Sequence, residues 1–248
     1  MSVKKHIPNI ITLLNLSAGL IALVYAFEMN WIMAFFWVCA GIFFDFWDGF
    51  FARLYKVQSP LGVQLDSLAD MVTSGVVPGV AMFQLIANIQ DFRDDYNLSF
   101  ENYYFAIVPF FAFLITLGSC YRLAKFNIDT RQTDSFIGLP TPANALFIMS
   151  LPMILITYSD IDAIFTLLSN PYVLVLISIV SAVVMNAEIP LFSLKVKYFN
   201  WKTNKIQFIF LIISAVLLFM FQYLAIPVII SFYVILSYIT NKMAVKTV

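Results

Sequence analysis

Histidine, cysteine and charge are all scarce in this chain, and each scarcity removes a class of chemistry. His6 is the only histidine among 248 residues, which leaves almost no room for a Ser-His-Asp or Cys-His catalytic arrangement or for a multi-histidine metal site. The two cysteines, Cys39 and Cys120, both fall in apolar stretches, where they read as packing residues and not as a disulfide. Charged residues make up 11% of the chain and balance to a formal net charge of zero, so nothing suggests a nucleic-acid surface. Neither an internal repeat nor a low-complexity stretch is visible. Lys4 and Lys5 before an apolar run resemble the start of a signal peptide. No small-residue cleavage pattern precedes Glu28, however, so an uncleaved first membrane helix is the better reading.

What fills the space is apolar. Hydrophobic residues are 62% of the chain, 26 of them phenylalanine, and the mean hydropathy is +0.90, which places the sequence among all-α polytopic membrane proteins built as one domain over residues 1–248. Segments of about membrane-spanning length lie at 9–27, 31–53, 63–88, 103–124, 142–158, 171–187, 206–221 and 224–240. That predicts about eight transmembrane helices, with the fifth and sixth short and a tight turn between the last two. Pro60, Gly62, Pro142 and Pro171 stand at boundaries, while Pro152 and Pro227 fall inside spans and predict kinks. With the N-terminus inside, thirteen of the fourteen Lys and Arg residues fall at cytoplasmic ends, Arg93 being the exception, so both termini are expected in the cytoplasm. The long polar insertion, Arg122 to Pro142, is then also cytoplasmic.

Against this background four aspartates stand out. Asp45 and Asp48 are spaced i, i+3 and Asp66 and Asp70 i, i+4, so each pair projects from one helix face. A carboxylate at membrane depth costs on the order of 2.5–3.5 kcal/mol on insertion scales, and four so close together need a compensating partner. Hard oxygen ligands in this number suit Mg²⁺, Mn²⁺ or Ca²⁺, and four can hold two ions by sharing. Asp45 lies eight residues, about 12 Å of helix, before Arg53, which places the cluster below mid-membrane and open to the cytoplasm. Gly49 and Ala52 let a bulky group approach the backbone, and Arg53 can reach a phosphate. The set suits phosphoryl transfer on a lipid-linked diphosphate.

The ordered set Asp45, Asp48, Gly49, Ala52, Arg53, Gly62, Asp66 and Asp70 resembles the signature of the CDP-alcohol phosphotransferase family, Asp-x2-Asp-Gly-x2-Ala-Arg-x8-Gly-x3-Asp-x3-Asp, at every position. The resemblance implies a six-helix catalytic core, usually homodimeric, in which an alcohol attacks the phosphorus carrying the lipid of a CDP-lipid and CMP leaves. It implies that Asp45 and Asp66 bridge two divalent cations, Mg²⁺ or Mn²⁺, that Asp48 and Asp70 complete the two sites, and that Asp70 is also the catalytic base. Gly49, Ala52, Arg53, Ser59 and Gly62 would contact the CDP-lipid, with Pro8 and Asn9 closing on it.

Two further runs, Tyr121-Arg122-Leu-Ala-Lys125-Phe-Asn127 and Gly138-Leu-Pro140-Thr-Pro142-Ala143, resemble the phosphatidylserine synthase branch of that family, as does Ile7-Pro8-Asn9-Ile-Ile-Thr12-Leu-Leu-Asn15. This implies CDP-diacylglycerol and L-serine as substrates in a prokaryotic inner membrane, with Arg122, Lys125 and Asn127 binding the acceptor. Lys125 stands where arginine is usual, which keeps the charge and loses the bidentate geometry. Glycerol 3-phosphate or an inositol phosphate as acceptor is the alternative within the family. From another class, a cation-coupled transporter would use intramembrane acids as an ion path, though it gives no reason for all four to gather near one face.

Overall fold

The structure is a computed structural model, which describes residues 6–88, 107–129, 136–191 and 204–246, with side chains to residue 240. Among the described residues the regular structure is helical apart from one two-residue strand pair. The elements are α1 (Ile7–Phe27), α2 (Trp31–Leu54), α3 (Pro60–Asp70), a π-helical turn (Met71–Val76), α4 (Val77–Ala87), a 3-10 turn (Val108–Ala112), α5 (Phe113–Ile128), β1 (Phe136–Ile137), α6 (Thr141–Thr157), α7 (Asp162–Leu168), α8 (Pro171–Asn186), β2 (Pro190–Leu191) and α9 (Lys205–Lys246). β1 and β2 pair antiparallel, with Phe136 opposite Leu191.

Among the described residues four helical runs are long and apolar enough to cross a membrane: α1, α2, the continuous run Pro60–Ala87, and Lys205–Thr240. α7 and α8 together form a fifth candidate, bent by 68° at their junction, and α6 is a shorter apolar helix. Every expected apolar segment carries a helix, but several boundaries move. The third starts at its first-turn proline, Pro60, behind the cap Ser59, whose Oγ accepts from Gly62 N at 3.1 Å. The fourth runs on to Ile128, so Arg122, Lys125 and Asn127 are helical and not part of a polar insertion. The last two segments are two helices within α9 that meet at Gln222, whose non-helical φ of 42° and ψ of −118° make the expected tight turn. Pro152 and Pro227 lie inside α6 and α9. Cys39 and Cys120 are free thiols, the first half-buried and the second exposed. Lys4, Lys5, Arg93, Arg131, Lys195, Lys197 and Lys202 lie outside the described residues.

The packing is that of helices meeting in lipid, with small and polar residues inside and large apolar ones outside. α1 buries Pro8, Thr12, Asn15, Gly19, Ala22 and Ala26, alternating steps of four and three, and exposes Leu13, Leu20 and Val24. This narrow seam lets α1 lie against α2 and cross α3, the π turn and α4. On α2 the residues Phe43, Trp47, Phe51 and Tyr55, spaced i, i+4, form a ladder with ring centroids 6.0, 5.5 and 5.6 Å apart. Apolar contacts gather toward one end of the bundle. One cluster joins Ala22, Ala26, Trp31, Val38, Val80 and Met149, and another joins Leu85, Ile115, Ile154 and Leu174. The opposite end, at the start of α1, the end of α2 and the start of α3, carries the acids.

The π turn has an identifiable cause. Pro78, in the first turn of α4, has no N–H to offer the carbonyl four residues before it, and the backbone widens just there. Thr116 Oγ1 on α5 donates to Gly75 O in that turn at 2.9 Å. The turn carries Thr73 against α1 and α2. A Cβ at Gly41 would stand 2.6 Å from Thr73 Cγ2 and 2.9 Å from Asn15 Oδ1. Gly41→Ala is therefore expected to destabilise by about 1–3 kcal/mol, lowering the melting temperature in detergent by roughly 2–10 °C. An unchanged melting temperature would show that this seam has slack.

Candidate active site

Asp48 lies six residues before the end of α2 and Asp66 six residues after the start of α3, with Asp45 and Asp70 about one turn further along their helices, which brings the two pairs level across the Tyr55–Ser59 connection. Carboxylate oxygens of Asp45, Asp48 and Asp66 all lie within 4.8 Å of one another. Asp48 is buried and the other two are half-buried. Among the described residues none of these acids has a lysine or arginine within ion-pairing distance; the one such pair is Lys125 with Glu188. Three hard anionic ligands, withdrawn from water and lacking a basic partner, fit a divalent cation of the Mg²⁺ or Mn²⁺ type.

Asp70 is not among the three whose oxygens lie within 4.8 Å of one another. The physical reason is a separate tether. Asn15 Nδ2 on α1 donates to Asp70 Oδ1 at 3.1 Å, while Thr73 Oγ1, from the π turn, donates to Asn15 O at 3.2 Å. Asp70 is only 9% exposed, yet it remains near enough for electrostatic interaction with Asp45, Asp66 and Asp48 and for attraction to Arg122.

The CDP-lipid candidates gather at the same end. Arg53 folds back over Gly49: a Cβ there would stand 3.3 Å from Nη1, so a larger residue would displace the guanidinium. Asn9 faces Gly62, whose Cβ position is 3.4 Å from Asn9 Oδ1. Ser59 spends an oxygen lone pair on its capping bond. Pro8 is buried and Ala52 half-buried. The acceptor candidates occupy the last two turns of α5. Arg122 is buried and donates from Nη2 to Gly138 O at 3.2 Å, Lys125 Nζ is 3.6 Å from Glu188 Oε1, and Asn127 Nδ2 donates to Ser67 Oγ at 2.9 Å.

Sequence reasoning assigned no role to Thr12, Asn15, Ser67, Thr73 or Glu188. For Thr12 and Asn15 a signal was present, since with Asn9 they form a polar series at i, i+3, i+6 on a largely apolar helix. Thr12 Oγ1 lies 2.5 Å from Asp48 Oδ2 and 3.1 Å from Pro8 O, so its hydroxyl orients the one fully buried member of the carboxylate group. Outer-shell partners of this kind are worth about 10–100-fold in metal affinity. Thr12→Val is expected to weaken Mn²⁺ binding by about tenfold or more, read by isothermal titration in detergent. Equal affinity in the variant would mean that Asp48 is oriented without it.

A family model described as CDP-alcohol phosphatidyltransferase matches residues 5–175. Curated relatives named CDP-diacylglycerol–serine O-phosphatidyltransferase include one from Helicobacter pylori strain J99, 33% identical over 144 residues, covering 57% of this chain and 55% of the relative. One from Bacillus subtilis strain 168 is 32% identical over 156 residues, covering 63% and 78% of the two chains. One from Methanocaldococcus jannaschii is 28% identical over 152 residues, covering 61% and 63%. The match thus spans about half the length of the Helicobacter relative and most of the Bacillus one. The family match covers the whole carboxylate group and the helices that carry it, and the chain belongs to the CDP-alcohol phosphatidyltransferase family.

Proposed function

We propose that the protein transfers the phosphatidyl group of CDP-diacylglycerol to the hydroxyl of L-serine, giving phosphatidylserine and CMP. The observation that carries this reading is the convergence of Asp45, Asp48 and Asp66 within the family signature. Serine as acceptor is supported by the names of relatives from three distant organisms and by the cationic pair Arg122 and Lys125 on α5.

Asp45, Asp48, Asp66 and Asp70 would hold two divalent cations, which when bound supply charge neutralisation of the diphosphate and polarise its phosphoryl oxygens. Arg53, folded over Gly49, takes the diphosphate, and Asn9, Ser59 and Gly62 border it. Asp70 accepts the proton of the serine hydroxyl as that oxygen bonds to the phosphorus bearing diacylglycerol. The bond from this phosphorus to the bridging oxygen breaks, and CMP leaves with its electron pair. Asn15 occupies Asp70 Oδ1 and so leaves Oδ2 as the oxygen aimed at the acceptor.

The same reading takes the chain as a single domain of eight spans in a prokaryotic inner membrane, with both termini and the site at the cytoplasmic face. A homodimer is the assembly that the family resemblance implies.

Purified protein with radiolabelled L-serine, CDP-diacylglycerol and Mg²⁺ or Mn²⁺ should release CMP and form phosphatidylserine. Release with glycerol 3-phosphate and none with serine would keep the family and discard this acceptor. Asp70→Asn should lower turnover by about 10²–10⁴-fold, the usual worth of a general base, while CDP-diacylglycerol still raises the melting temperature. Full activity in that variant would remove Asp70 from the base role.

A further inference from the structure

Beside the carboxylates, α5 and the last turn of α8 enclose a second polar group that phosphoryl transfer by itself does not explain. Arg122 is 7% exposed, and its buried Nε has no hydrogen-bond partner. Asn186 donates from Nδ2 to Gly118 O at 3.0 Å and to Ala182 O at 2.9 Å. Those two bonds use both amide hydrogens and set the orientation of the side chain, leaving its buried Oδ1 without a partner. The two residues border one small cavity of about 10 Å³, together with Lys125, Ile137, Met185 and Ala187. At its margin lies the ion pair of Lys125 with Glu188, whose side chains are 31% and 67% exposed.

An unmet buried donor and an unmet buried acceptor each cost about 1–3 kcal/mol, and a ligand offering the complementary pair relieves both. The cavity has room for one water-sized group, which is the size of an ammonium. Charge decides what kind of molecule brings it. A zwitterion can enter between Lys125 and Glu188 without changing the local charge, its carboxylate taking the lysine and its ammonium the glutamate. An anionic acceptor such as a phosphate monoester would bring its charge against the Glu188 carboxylate as well as toward Lys125, a repulsion that the ammonium of a zwitterion avoids.

We infer that Asn186 and Glu188 select the acceptor by its ammonium group, Asn186 Oδ1 and the Glu188 carboxylate receiving it while Arg122 and Lys125 hold the carboxylate of the same small hydroxy amino acid. This rests on the serine reading above and adds the residues that separate serine from anionic alcohols of the same reaction class. Neither residue lies in the family signature, and Glu188 is one of only three glutamates in the chain.

The test compares L-serine with 3-hydroxypropanoate, the same hydroxy acid without the ammonium, and with glycerol 3-phosphate, on full-length enzyme. Glu188→Gln and Asn186→Leu are each expected to raise KM for serine about tenfold or more, the worth of a hydrogen bond to a charged group, with kcat changed much less. KM or competitive Ki for 3-hydroxypropanoate should stay where it was, and Glu188→Gln should improve use of glycerol 3-phosphate. Because Glu188 is largely exposed, its variant folds even if Asn186→Leu does not, and the CDP-diacylglycerol-induced rise in melting temperature verifies folding in both. If serine turnover is intact and both folded variants still discriminate serine from 3-hydroxypropanoate as the wild type does, this inference falls alone and the two unmet atoms are bridged by water. If the wild type does not use serine at all, the proposed function and this inference fall together.

Discussion

The whole arrangement depends on the energy of keeping carboxylates in the interior of a lipid-embedded bundle. Each such group loses hydration, and in this protein Asp48 and Asp70 are almost fully withdrawn from solvent, with Asp45 and Asp66 half-buried. Among the described residues nothing basic sits close enough to pair with them. Side chains of α1 reach two of them, Thr12 to Asp48 and Asn15 to Asp70, so the first helix serves as a scaffold for acids carried on the second and third. A cation held by the three converging carboxylates would complete the balance, so that the same geometry would serve both stability and chemistry.

That constraint also organises the rest of the bundle. Helices that meet in lipid gain little from burying large apolar side chains, because those are equally well solvated outside. Close approach has to come from small residues, and the α1 seam of Thr12, Asn15, Gly19, Ala22 and Ala26 supplies it. Gly41 on α2 does the same where Thr73 and the Asn15 amide press against it. The larger apolar side chains collect at the far end, where α4, α6 and α8 meet, and the serines buried in those helices bond to nearby groups, Ser150 to Phe147 O, Ser178 to Leu174 O and Ser181 to Asn144 Oδ1. One end is thereby rigid and dry, and the other is polar and open to ligands.

The π turn connects these two regimes. It begins immediately after Asp70, where α3 with its acids gives way to α4 with its apolar contacts. Widening the helix at that point lets one continuous run present Asp70 and Thr73 to α1 at one end and Val77, Val80 and Ala81 to the core at the other. Pro78 makes the irregularity obligatory, since the carbonyl it cannot satisfy has to find its partner in some other way.

Much of this was legible from the chain alone, because it depends on local pattern. Apolar runs located the helices, the i, i+3 and i, i+4 spacing put each aspartate pair on one face, and Pro60 and Pro171 marked first turns at the positions observed. Periodicity and hydropathy are properties of one segment at a time, and segments of a membrane bundle announce themselves strongly. Contacts between segments were not legible. That Asn15 tethers Asp70 across 55 positions, that α5 continues to Ile128, and that Asn186 and Glu188 come to stand beside Arg122 and Lys125 follow only from how the helices cross. Rotation and depth of each helix are set by small-residue seams and by the pairing of buried polar atoms, which are pairwise quantities with no signature in either partner's own sequence.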